Sequence, residues 1–276
     1  MLLNVSRPVP KQPAAPALSS TGVCARVSFL VVYLAFSILF AGLPITGQIQ
    51  GHLAAPDVLQ PSPLTVNPEQ IFAGLVKHNE NRNAKLRSYS AIRTYAVTDT
   101  NGKVQAKEIV RMDYVAPDRK AFATIKEEGS SIVRRLVLGR LMESEVVAAL
   151  GQDHRDSSIT PANYRLLVLG EEDLGGHHCL VVEALPKRKD KYLFEGRMWI
   201  DSTDFAIVRI AGHPAKNPSF WITRADFVRE YEKKGDFWFP AKDETFVDVK
   251  LYGKKILTIV HRVDSINGAK SAAGAL

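Results

Sequence analysis

Residues 192–212 read YLFEGRMWIDSTDFAIVRIAG. Two runs rich in β-branched and aromatic residues flank Asp201, Ser202, Thr203 and Asp204. Asp and Ser turn a chain by bonding their own nearby backbone, so the stretch reads as strand, turn, strand. The same grammar repeats in both directions. Strands are expected near 164–170, 178–185, 192–200, 206–212, 219–233, 237–250 and 255–264, with turns at 172–176, 187–190, 201–204, 233–236 and 252–254.

Toward the N-terminus the period changes. Asn67, Pro68 and Gln70 form a helix start: an N-cap, a proline at the first helical position and a capping-box residue. The helix is expected to run to about Leu86, with Ile71, Leu75 and Val76 on one side. Tyr89–Asp99 and Lys103–Val115 then read as strands joined by a hairpin turn ending in Asn101-Gly102, a pair that tolerates positive φ. A third strand is expected over 120–126. Residues 131–150 follow helical spacing through Val133, Leu136, Val137, Leu141 and Val146, although β-branched Ile132, Val133 and Val137 also fit a strand at its start. The fold class is therefore α+β: a curved antiparallel β-sheet or incomplete β-barrel of about ten strands, with helices.

The front of the chain is different in kind. No Asp, Glu, Lys or Arg occurs from Val27 to Pro56, and the preceding 26 residues carry Arg7, Lys11 and Arg26 without an acid. Basic, then apolar, then polar is the order of a segment that directs a chain into a membrane. The apolar core Val27–Leu43 would span about 26 Å as a helix. That fits a cleaved signal peptide or a retained anchor. The organisation expected is a basic leader (1–26), a signal peptide or membrane anchor (27–47), a linker (48–66), one domain (67–266) and a disordered tail (267–276). Everything past Asp57 would work outside the cytoplasm, in the periplasm or cell envelope, either secreted or anchored in the inner membrane.

The net charge of the chain is +7, and three of those charges lie in the leader. The remainder is mildly basic, which is not a nucleic-acid signature. The chain has 2 cysteines, Cys24 before the apolar segment and Cys179 beyond it. The domain therefore lacks an internal disulfide, and Cys179 reads as a small buried hydrophobe.

Candidate chemistry is sparse. His177, His178 and Cys179 with Glu171, Glu172 and Asp173 resemble a metal cluster in composition. Neighbouring strand residues point to opposite faces, however, so His177 and His178 do not share an ion easily. Asp201 and Asp204 sit where Asp stabilises turns. No Gly-x-Ser-x-Gly elbow and no Cys with a base partner occurs. No enzyme, metal or cofactor is expected. Lys187, Arg188, Lys189 and Lys191 cap a hairpin, where they would contact anionic headgroups if the protein meets a membrane. The C-terminal strands are crowded with aromatics. Odd positions Trp221, Phe227 and Tyr231 are expected on one face of 219–233, as are Phe237, Phe239, Val247, Val249 and Leu251 in the next strand. Such a face is either filled or encloses an apolar cavity.

The run Phe194–Asp201 (FEGRMWID) followed by Ala206–Ile210 (AIVRI) resembles the strand–turn–strand of LolA-like proteins, which pair a G-x-x-W-[IV]-D strand with an xxVxRI strand. Residues 214–221 (PAKNPSFW) and 235–240 (GDFWFP) are similar to a branch of exported bacterial relatives, and the opening helix followed by 89–95 (YSAIRTY) fits as well. The resemblance spans about 67–266, and its motifs are structural. It implies an incomplete barrel whose open side is covered by helices, around a cavity that receives the acyl chains of lipids or lipoproteins, as in outer-membrane lipoprotein sorting. The expected cavity lining is Val110, Met112, Tyr114, Met198, Trp221, Phe227 and Tyr231, with helix 69–86 and segment 131–150 as cover. The alternative is an envelope sensor or interaction domain with a filled core that binds a protein partner.

Overall fold

The structure is a computed structural model and describes residues 66–149, 157–217, 220 and 222–271. The expected leader, the signal or anchor segment, nearly all of the linker and Trp221 lie outside the described residues. Among the described residues no helix is long and apolar enough to cross a membrane.

Helix α1 (Pro68–Lys85) begins as the sequence predicts: the Asn67 side chain accepts from Gln70 N at 2.9 Å, and Gln70 Oε1 accepts from Asn67 N at 2.9 Å. Then follow β1 (Ser88–Asp99), β2 (Val104–Val115) and β3 (Arg119–Gly129). The segment that fitted either helix or strand is helical from its first residue, in three parts: α2 (Ser131–Val133), π-helical turns over Arg134–Gly139, and α3 (Arg140–Ala149). Ser130 caps it through Val133 N, and Arg134 Nη1 donates to Gly129 O at 2.6 Å, so local capping decides against a strand. The meander is β4 (Tyr164–Leu174), β5 (His177–Pro186), β6 (Phe194–Asp201), β7 (Ile207–Pro214), β8 (Ile222–Lys234), β9 (Phe237–Val249) and β10 (Gly253–Ile266), with a short β11 (Ala269–Lys270).

The strands form one curved, unclosed antiparallel sheet in the order β3-β2-β1-β10-β9-β8-β7-β6-β5-β4, with β11 beside β10. Both helical segments pack on the same face, called here the inner face. Helix α1 sets Ile71, Phe72 and Leu75 against Leu166, Leu180, Val182, Met198, Ile200, Ile210 and Phe227 of β4–β8. Gly74 permits that approach, since a Cβ there would come within 2.3 Å of the Phe205 ring. The segment 131–149 instead covers β1, β2 and β8–β10, where Val137, Leu138 and Leu141 meet Val97, Val110, Ala225, Val247 and Leu257. A third cluster, Leu86, Ala91, Met112, Tyr114, Phe237, Phe239 and Val263, fills the far end of the same strands.

Three expectations change in detail. Leu251 does not join the inner face of β9; it is exposed in the β9–β10 turn with φ 69. In β8 the odd-position pattern holds at Ala225 and Phe227 but not at Ile222, which a register shift between Ile222 and Arg224 turns inward. The tail does not begin at 267. Asn267 Oδ1 accepts from Arg87 N and Ser88 N, and β11 pairs with Ser265 and Ile266, so the folded part continues to Ser271.

Candidate functional site

Strand alternation places Ala91, Arg93, Tyr95 and Val97 of β1 inward, and the apolar members pack as expected. Arg93 is the exception. It is buried on an apolar face, opposite His261 of β10 in the sheet register. The next strand, β9, presents buried Asp243, whose register partner on β8 is Arg229. A line of ionisable side chains therefore crosses four neighbouring strands: Arg229, Asp243, His261 and Arg93. It separates the apolar cluster beneath 131–149 from the cluster at the other end.

The line closes on α3. Glu145 is buried, and Arg93 Nη1 donates to its two carboxylate oxygens at 3.0 and 2.8 Å. Lys120 of β3 donates to Oε2 at 2.8 Å, and the Tyr95 hydroxyl lies 3.4 Å from Oε1. Arg93 also stands over the Phe122 ring, 5.6 Å from its centroid. Across the sheet, Arg229 pairs with Asp243, and His261 Nε2 lies 2.8 Å from Asp243 Oδ2. Glu108 of β2, also buried, accepts from Thr124 Oγ1 at 2.9 Å.

Burial and charge oppose each other here, and charge decides the carboxylates. Burial pushes the Glu145 carboxyl up, yet Arg93 and Lys120 outweigh it and hold the group well below the usual carboxylate range. Asp243 is likewise raised by burial, but Arg229 and His261 bring it down to about 2. Burial, with Arg93 beside it, depresses His261, so that imidazole is neutral at pH 7. Burial also raises the phenols of Tyr95 and Tyr231, which stay protonated as donors.

The expected lining residues do not gather in one place. Val110 lies beneath the helical cover, Met112 and Tyr114 belong to the far cluster, and Met198 and Phe227 pack under α1. Tyr231 is half-buried beside that last cluster, next to Arg229. The basic hairpin 187–191 is exposed, but Arg188 is engaged: its Nη1 donates to Asn163 Oδ1 at 2.6 Å and its Nε to Asp190. Lys187 and Lys189 remain exposed.

His177 and His178 diverge as strand geometry requires. His177 Nδ1 is 2.9 Å from Asp201 Oδ2 and its ring centroid lies 4.6 Å from that of Trp238 in a tilted contact, whereas His178 faces Asp173 and Glu171. Among the described residues no group of His, Cys, Asp and Glu is arranged to hold a metal. Asp201 and Asp204 cap the β6–β7 turn through Thr203 N, Asp204 N and Ala206 N. Cys179 is buried, and burial pushes its thiol up to about 11.

No protein-family model matches the sequence, and no curated protein matches it. Among solved structures the chain is similar to a Vibrio parahaemolyticus domain described as an outer membrane lipoprotein-sorting protein. Identity is 11%, with 73% of this chain and 94% of that chain covered and a TM-score of 0.42. It is also similar to a DUF1329 family protein from Desulfovibrio piger (13% identity, 70% and 90% covered, TM-score 0.36). A LolA superfamily protein from Nitrosomonas europaea is a third (9% identity, 76% and 96% covered, TM-score 0.35). At these identities and TM-scores the likeness transfers no residue's role. An unclosed antiparallel sheet with helices on its inner face is the arrangement that the LolA-like resemblance implies.

Proposed function

We propose that this protein is an exported, non-enzymatic binding protein of the cell envelope that takes up the acyl chain of a lipid or lipoprotein against the inner face of its sheet. One observation carries the reading: an open sheet has an apolar inner face whose cover is two helical segments rather than a second sheet. Helical cover can part from a sheet without breaking a strand ladder, and each buried CH₂ of an acyl chain then contributes about 0.8 kcal/mol. Residues 27–47 would bring the domain to the periplasmic side of the inner membrane, as a cleaved signal or a retained anchor. Lys187 and Lys189 would meet anionic headgroups there.

A second reading is favoured by a different observation. Val110, Met112 and Met198 have no exposed surface, which is the packing of a filled interior. In that case the protein binds a protein partner through its surface.

Native mass spectrometry of the full chain purified from a bacterial membrane-containing lysate separates the two. A bound mass that dissociates as a lipid or acylated peptide is the outcome expected for acyl-chain binding. A clean apo mass that stays apo when acyl-chain probes are added contradicts it and favours the protein partner.

A further inference from the structure

The Glu145 carboxylate sits in a receptor that does not belong to its own element. Arg93 and Tyr95 come from β1 and Lys120 from β3, and all three aim donors at the two oxygens of one carboxylate. Glu145 arrives from α3, part of the helical cover. The donors all come from strands of the sheet, not from α3. Arg93 is held by its neighbours in β1 and rests over Phe122, and Tyr95 is fully buried.

A planar guanidinium, a phenol and an ammonium converging on one point recognise a carboxylate or a phosphate oxygen pair. The receptor also has an unused donor: Arg93 Nε is buried and has no hydrogen-bond partner. Orphan donors of this kind are costly and mark places where a further acceptor belongs. On either side lie apolar clusters, with Val110 beneath the helices and Met112 and Phe122 toward the other end. An anionic group held at Arg93 would therefore have apolar surface directly beside it.

Resting on the acyl-chain reading above, we propose that Arg93, Tyr95 and Lys120 form a binding site for the anionic head of an amphiphile, a carboxylate or phosphate carrying an acyl chain. Glu145 occupies that site in the unliganded protein as a built-in stand-in. A ligand head displaces the Glu145 carboxylate, takes over its hydrogen bonds and offers an acceptor to Arg93 Nε, while its chain lies against the apolar face. The ligand class is thereby narrowed to anionic amphiphiles, and neutral lipids of the same length are disfavoured. The Glu145 carboxylate sets the threshold, because a ligand must outcompete it.

The test is titration calorimetry on the full-length chain with three probes of equal chain length: palmitate, hexadecyl phosphate and hexadecanol. Wild type, Glu145→Gln and Lys120→Gln are compared. In Glu145→Gln, palmitate or hexadecyl phosphate is expected to bind about ten- to a hundredfold tighter than in wild type, while hexadecanol changes little. Which of the two gains more tells carboxylate from phosphate. Lys120→Gln, at a side chain nearer the surface, is expected to lower the anion-over-alcohol preference of the wild type. It also keeps the question open if Glu145→Gln does not fold. Equal affinity for all three probes in every folded variant overturns the head-group site while leaving acyl-chain binding intact. Failure of all three probes to bind any variant overturns the acyl-chain reading itself.

Discussion

Strands β5–β7 and strands β1, β9 and β10 belong to one sheet but are built on opposite plans. Around β5–β7 both faces are apolar. Leu180, Val182, Met198 and Ile200 pack under α1, while Cys179, Val181, Trp199 and Val208 form a second cluster with Trp238 on the reverse face. Gly196 and Gly212 let β6 and β7 approach closely there, since a Cβ on Gly196 would stand 2.2 Å from Ala211 O. Across β1, β9 and β10 the inner face is interrupted by Arg93, Asp243 and His261, and the outer face carries exposed Phe246 and Val260. The first region resists change because apolar packing has no alternative partner. The second is held by charges that another charged group could satisfy, which makes it the part able to exchange one occupant for another.

The largest expected effect breaks the first region. Phe194 is fully buried, with ring centroids 5.4 Å from Tyr164 and 6.0 Å from Phe227. Phe194→Ala is expected to cost about 3–5 kcal/mol in urea unfolding, through lost transfer energy and the cavity left behind. A comparable loss is expected from Arg93→Met, about 3–5 kcal/mol, because Glu145 loses its principal buried partner. The double variant Arg93→Met with Glu145→Leu is expected to regain most of that stability, since an apolar pair of similar volume removes both desolvation costs. No such rescue is expected for any second substitution beside Phe194→Ala.

Acidification should act most on the second region, although His78 of α1 and Asp204 of the β6–β7 turn are also depressed. His261, Glu145 and Asp243 all have folded-state pKa values below their ordinary ones. The native protein therefore binds fewer protons than the unfolded chain, and stability is lost as pH falls. Loss should begin below the ordinary His value of 6.5, grow below 4.5 as unfolded Glu takes up protons, and continue through the Asp243 value of about 2. Thermal unfolding followed from pH 7 to pH 3 should show a falling midpoint, and the fall should be shallower in the double variant. The smallest expected effect is at a helix end: Asn67→Ala removes the α1 cap and should cost about 1 kcal/mol, leaving the pH profile unchanged.

The two regions also differ in how far the sequence disclosed them. The strands of β5–β7 were legible because their apolar runs and Asp- or Gly-containing turns report local preferences directly, as in residues 192–212. The helix start at Asn67 was equally plain. The charged line was not, although a trace of it stands in the sequence. Arg93 interrupts the inward series Ala91, Tyr95, Val97, and His261 interrupts Leu257, Ile259, Val263. A charged residue in an otherwise apolar parity signals a buried pair, but its partner is 52 residues away in Glu145 and is fixed only by tertiary packing. The lining expected from the family resemblance places Met112 and Met198 around one cavity; both lie on the inner face, but in separate clusters, Met198 under α1 and Met112 at the far end. Register shifts at Ile222/Arg224 and Glu230/Tyr231 explain why parity holds through the middle of β8, at Ala225 and Phe227, but not toward its ends.

The contrast between the two regions is tested most directly by hydrogen exchange of the full-length chain with and without saturating palmitate. Amide protection is expected to change in residues 131–149 and in β1, where Arg93 and Tyr95 lie, while β5 and β6 keep their exchange rates. Bound palmitate that alters β5 and β6 but leaves 131–149 untouched would contradict the assignment of the exchangeable region.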